Sequence, residues 1–459
     1  MTFSNETAFE ASLARAFSDY ADRAPIHIDT AALARAVAAH DRRTFSVVGR
    51  SFTRPRWLTP VAIALLLLAT LAAAAYVGSL VLERILRADD IDQAPVTILP
   101  TGRLAYESLE PKAIAVAGGR VMVVGLEPVS GRRSGQVVDV ASGTVESRVL
   151  LPDSFTDAVI ASLTVLADER VLIVGYRHAL DPGTGESVAG VIDPVKGTFT
   201  QLGPMIYQRL EPTAVRLADG HVLIAGGITD GPESEVLPDA ELFDPSTMTF
   251  SPTEPMVTAR DWQAMLLLDD GRVLVIGGFC GDPAQPKWCD SVELFDPTAG
   301  TFTKTDGNLS HVRGIPALFT RSDGQVLILR LGRYSQERQL FGRHGVDPVT
   351  TEIFDPSTGE FTPGPLVPHT VMTATRLTDG RLLLSGAWDI SPDVDSPDAG
   401  TSDSWVAVFD PMSGTVTELP GVDRLYAAAA LLDDGSVALI EAAEFDDLPP
   451  NAIDVFVGD

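Results

Sequence analysis

The chain carries seven copies of one phrase, and a repeat of this length decides what it can fold into. The phrase is clearest at 217–250. It runs through an apolar stretch, Asp219-Gly220, Val222-Leu223-Ile224-Ala225, Gly226-Gly227, a variable loop, Glu241-Leu242-Phe243-Asp244-Pro245 and Thr249-Phe250. Aligned on the turn after the first apolar run, the anchors are Gly118, Asp168, Asp219, Asp270, Asp323, Asp379 and Asp434, in steps of 50 to 56 residues. A unit of that size cannot bury its apolar face alone and must stack on a neighbour. A conventional single-core enzyme domain is therefore not expected.

Each unit reads as four strands. An Asp-Gly turn between two apolar runs signals a hairpin. A third strand ends in Asp-Pro at 193, 244, 296, 355 and 410, where proline stops the ladder and turns the chain. A fourth strand follows, as in Thr198-Phe199-Thr200 and Thr301-Phe302-Thr303. The last unit stops after its third strand, Ile453–Val457, while a spare strand, Val96-Thr97-Ile98-Leu99-Pro100, precedes the first. That spare strand is expected to complete the last blade and close the ring, leaving no open edge. The predicted fold is all-β, a seven-bladed β-propeller, with six blades as the rival count because the first unit is degenerate.

The repeats resemble kelch repeats. Gly226-Gly227 and Gly277-Gly278 match the paired glycines, other units keep one (Gly125, Gly175, Gly386) or none, and Phe stands for the usual Tyr and Trp at 243, 295, 354 and 409 and at 250, 302 and 361. The resemblance covers roughly 96–459 and implies the seven-bladed fold of galactose-oxidase-like propellers. It implies no single function, because such propellers serve as binding modules and as enzymes alike.

Upstream of the repeats the chain changes character. Residues 57–82 contain no charged side chain, enough to cross a bilayer as a helix, with Trp57 suited to the interface. Residues 1–56 read as a small helical segment and 83–95 as a charged linker. The head has the layout of bacterial membrane-anchored anti-sigma-like proteins, but with His27 and His40 and no Cys it lacks their zinc cluster. Arg and Ala dominate over Lys, as in high-GC bacterial coding. Arg42, Arg43, Arg50, Arg54 and Arg56 precede the span, and Asp89, Asp90 and Asp92 follow it. Cations stay inside, so the N-terminus is expected in the cytoplasm and the repeats outside the cell membrane. Residues 1–87 hold ten basic and seven acidic side chains; the rest of the chain's 34 basic and 62 acidic residues leave the remainder at −31. Such a domain repels nucleic acid and anionic lipid. Cys280 and Cys289 flank one loop, where a disulfide or two free thiols are the alternatives, and an oxidising compartment favours the disulfide. No metal site or cofactor is expected from them.

Candidate binding residues lie on one face. Ten residues before the turn stand Arg209, Arg260, Arg313, His369 and Arg424, with Ser108 and Ala158 in the first two units. Such a cluster could bind a carboxylate, sulfate or acidic peptide through fork-shaped hydrogen bonds, or it could satisfy loop carbonyls. The fifth unit's long loop carries Arg330, Arg333, Arg338 and Arg343, facing Asp393, Asp395, Asp398 and Asp403 in the next. No catalytic residue is expected. There is no Tyr-His pair for copper chemistry, and Ser322-Asp323-Gly324 is a hairpin turn and not a sialidase box. The expectation is a binding module for an extracytoplasmic protein, glycan or small anion, with a propeller oxidase or hydrolase as the alternative.

Overall fold

A computed structural model describes residues 97–103, 109–127, 130–156, 158–177, 185–231, 234–281, 287–310, 315–331, 349–387, 404–420, 424, 426–441 and 452–457. The helical head, the apolar segment 57–82 and the linker 83–95 lie outside these residues, as do Arg313, Arg333, Arg338, Arg343 and the aspartates of 393–403. Among the described residues no helix is long and apolar enough to cross a membrane.

The repeats form seven four-stranded antiparallel sheets. Blade 3 shows the plan: Thr213–Arg216, Val222–Ala225, Ala240–Asp244 and Thr249–Pro252, each paired with the next. Blade 7 takes its outer strand from the start of the repeat region. Thr97–Arg103 pairs with Ala452–Val457, Ile98 opposite Phe456, with a bulge between Pro100 and Gly102. The spare strand thus closes the ring as its sequence implied. Blade contacts run right round, including first strand to first strand between blades 1 and 7.

A propeller needs both faces of each sheet buried, and the second strand shows how four apolar residues in a row achieve this. Val222 and Ile224 pack toward blade 2, Leu223 and Ala225 toward blade 4. Val273 and Val275 then face blade 3 while Leu274 and Ile276 face blade 5. There is no common core. Each of the seven junctions has its own apolar cluster, including one between blades 7 and 1. The aromatic before Asp-Pro caps these clusters: Phe243, Phe295, Phe354 and Phe409 are fully buried. Phe295 packs on Phe302 at 4.6 Å and Phe354 on Phe361 at 4.9 Å.

The paired glycines set strand length. Gly226 and Gly227 have φ of +69° and +100°, and Gly277 and Gly278 of +69° and +82°, so the second strand stops at Ala225 and at Ile276. Where a single glycine stands, at Gly125, Gly175 and Gly386, the second strand runs on, to Leu126, Arg177 and Ala387. On the opposite face, hairpin arginines tie blade to blade. Arg170 Nη2 donates to the Pro245 carbonyl at 3.0 Å, and Arg272 Nη2 to that of Pro356 at 3.2 Å.

Candidate functional site

The paired glycines also explain what the repeated arginine does. Their turn leaves a carbonyl pointing back at the lead-in loop, and the arginine ten residues before the hairpin reaches it. Arg209 Nη1 donates to Gly226 O at 2.9 Å and to Asp239 O at 2.7 Å, the two ends of the variable loop. Its Nη2 lies 3.2 Å from Glu241 on the third strand. Arg260 repeats the arrangement: Gly277 O at 3.2 Å, Ser291 O at 2.8 Å and Glu293 at 2.9 Å. The carboxylates in turn accept backbone N–H groups of the lead-in loop. Ile206 N donates to Glu241 at 2.9 Å, Val257 N to Glu293 at 2.8 Å and Ser310 N to Glu352 at 3.0 Å. Each pair is thus a strut pinning the loop into its own blade.

Both struts are buried. Arg209 is 1% exposed and Arg260 0%, as are Glu241 and Glu293. Burial pushes the Glu241 carboxyl up and pulls the Arg209 and Arg260 guanidinia down, each shift being opposed by the partner charge. Blade 7 is a looser version. Arg424 meets Asp454 at 3.0 Å, but its side chain stays 37% exposed. The Tyr426 hydroxyl donates to Asp454 at 2.7 Å, and burial together with that carboxylate pushes the phenol up. His369 sits 3.3 Å from Glu418 with its ring 5.3 Å from that of Trp405. Arg330 lies one residue before the end of the second strand of blade 5, Val326–Leu331, half-buried. Arg209, Arg260, His369 and Arg424 are therefore each held by partners of their own blade.

The acidic partners carried a signal in sequence. Glu241, Glu293, Glu352 and Asp454 fall in the units that carry Arg209, Arg260, Arg313 and Arg424, at the same third-strand position. Units lacking the arginine have Gln136, Gly190 and Ala407 there. Covariation among copies within one chain marks a strut without any structure.

The variable loop of blade 4 stands apart. Phe279–Cys280 and Lys287–Trp288 form a two-stranded ribbon, locked by the disulfide Cys280–Cys289 with Cα atoms 5.5 Å apart. Phe279 is stacked on Trp288 at 4.0 Å and lies 5.4 Å from Trp262, with rings tilted. Trp262 has a φ of +57°, uncommon for a bulky side chain, and Glu211 at the equivalent position of blade 3 has +54°. The sequence reading singled out the cysteines and missed the aromatic trio, whose members are up to 26 positions apart.

The Kelch motif family model matches residues 267–305, the span of blade 4 from its first strand through the ribbon to its fourth. A search of curated proteins found no match. Among solved structures, a fungal alcohol oxidase of the AA5 family in complex with copper is similar at 15% identity and a TM-score of 0.53, over 80% of this chain and 76% of that one. At that identity the likeness is one of fold. Among the described residues no group of three or more His, Cys, Asp and Glu could hold a metal ion. Cys280 and Cys289 are bonded to each other, and Tyr176 and Tyr426 donate to Glu211 and Asp454.

Proposed function

We propose that this kelch-type seven-bladed propeller is an extracytoplasmic interaction module for a protein partner, tethered to the cell membrane through residues 57–82. One observation carries the reading: the scaffold spends its buried charges on struts that hold one loop-bearing face in shape. Arg209 and Arg260 fix both ends of the variable loops, and the loop of blade 4 is braced a second time by a disulfide. Rigid scaffolding under divergent loops is the usual build of a recognition surface. Among the described members of the arginine set, Arg424 keeps 37% of its side chain in solvent beside Asp454, which supports a role for it in meeting a ligand. The head at 1–56 would report binding to the cytoplasm.

Two experiments test this. Photo-crosslinking and affinity capture with the full-length chain should recover a discrete partner from the extracytoplasmic fraction, and a chain that captures nothing above a bare-resin control would defeat the reading. A reporter active only outside the cell should work when fused after residue 459 and fail after residue 50. The reverse pattern would overturn the topology.

A further inference from the structure

Blade 3 is an internal control for blade 4. In both, the lead-in loop bridges to the segment after the paired glycines, which bridges in turn to the returning chain. In blade 3 this crossing joins Leu210 to Ile228 and Ile228 to Val236, aliphatic residues without a disulfide. In blade 4 it joins Asp261 to Phe279 and Phe279 to Trp288, and Trp262 adds a third ring. The fold therefore needs only modest aliphatic filling at this crossing. Blade 4 instead has three aromatic rings and a cross-link, and both tryptophans keep part of their surface in solvent. Aromatic faces take cations, and what decides the ligand is the surrounding charge. Asp261 sits beside Trp262, accepting its backbone N–H at 2.9 Å, and Asp290 is exposed just past the ribbon. Glu211 occupies the matching position of the neighbouring blade. Against these stands one exposed cation of the ribbon, Lys287. The chain after residue 87 carries a net −31, which draws in positive partners and repels negative ones.

We propose that the disulfide-braced ribbon of blade 4 is a receptor for a lysine or arginine side chain presented by a basic segment of the partner protein, held against Trp288 and Trp262 with the exposed Asp290 as its carboxylate and the buried Asp261 adding negative potential behind the rings. This rests on the interaction-module reading and names the chemistry of its partner. The disulfide keeps Trp288 registered on Phe279, so the aromatic surface exists before the partner arrives.

The test uses the full-length chain and a fluorescein-labelled nonapeptide rich in Lys and Arg, read by anisotropy. A matched Glu-rich peptide and the neutral oligosaccharide cellohexaose are run alongside. The basic peptide alone should bind. Trp288→Ala should weaken it roughly tenfold, with Trp288→Phe restoring most of the loss. Lys287→Glu changes an exposed side chain, so it tests the idea even if Trp288→Ala fails to fold, and it should tighten binding about threefold or more. Binding that ignores both substitutions is diffuse attraction to an acidic surface and overturns the proposal. So does tryptophan-dependent binding of the oligosaccharide, or of the Glu-rich peptide. If the basic peptide fails while capture of a partner succeeds, the interaction reading stands and this chemistry falls. If capture fails as well, both fall.

Discussion

Removing the Arg260 guanidinium leaves the Glu293 carboxylate buried without its cation. Loss of one partner of such a pair costs about 3–5 kcal/mol, so Arg260→Ala should shift the denaturant midpoint strongly downward. Arg260→Met with Glu293→Leu removes both charges and should recover most of that loss, because the desolvation penalty goes with them. Recovery would show that the strut fixes loop geometry more than it adds stability. A second residue-scale effect concerns the Asp-Pro turns. The Asp244 side chain accepts from the Ser246 hydroxyl and backbone N–H, which lowers its pKa from 3.8 to about 2. Asp193 is lowered by Lys196, Asp355 by Ser357 and by Gln325 of the hairpin, and Asp410, against a larger opposing effect of burial, by Ser413 and the Met412 N–H. A depressed carboxylate contributes stability above its unfolded pKa and loses it as pH falls through the folded value. The melting temperature should therefore drop between about pH 4 and pH 2. The drop should be smaller in Asp244→Asn, as thermal scans across that range would show.

Two glycines in the same blade pair separate backbone strain from steric blockage at the level of the strand and its turn. Gly300 closes an Asp-Pro turn at a φ of +67° with nothing within 4 Å of an added Cβ, so Gly300→Ala should cost about 1 kcal/mol. Gly227, two residues past the strand end at Ala225, has a φ of +100°, and a Cβ there would lie 2.3 Å from the Leu210 carbonyl oxygen. Gly227→Ala should cost about 2–4 kcal/mol and loosen the loop that Arg209 holds, seen as lost hydrogen-exchange protection over 228–237. Strands, turns and blade count were legible because they follow from patterns within one copy: four apolar residues, Asp-Gly, Asp-Pro. The repeat position leaves the arginines open between an anion site and satisfied loop carbonyls; the structure shows the carbonyl contacts, and the carboxylate some thirty residues on is visible in sequence only when the copies are compared. The aromatic trio escaped, since Trp262 and Phe279 meet only after the sheet is built. The second strands also differ in length, as at Val222–Ala225 and Val171–Arg177, because a pair of left-handed glycines stops the strand where a single glycine lets it run on.

For the whole molecule, the strand Thr97–Arg103 is the difference between a ring and a row. A chain starting at residue 93 should melt in one cooperative transition and elute as a monomer. One starting at residue 104 leaves Ala452–Val457 with an unpaired edge, and should aggregate or elute as larger species on gel filtration. The same pairing has a consequence for how the protein is made. The closing strand is nearly the first part of the propeller to be synthesised and its partner nearly the last, some 350 residues later. At roughly 5–20 residues per second, Thr97–Arg103 waits on the order of 20–70 s before a partner exists. During that interval the nascent chain carries a strand with no native partner at one end and a succession of unfinished blades at the other, so the ring can close only once synthesis is all but complete.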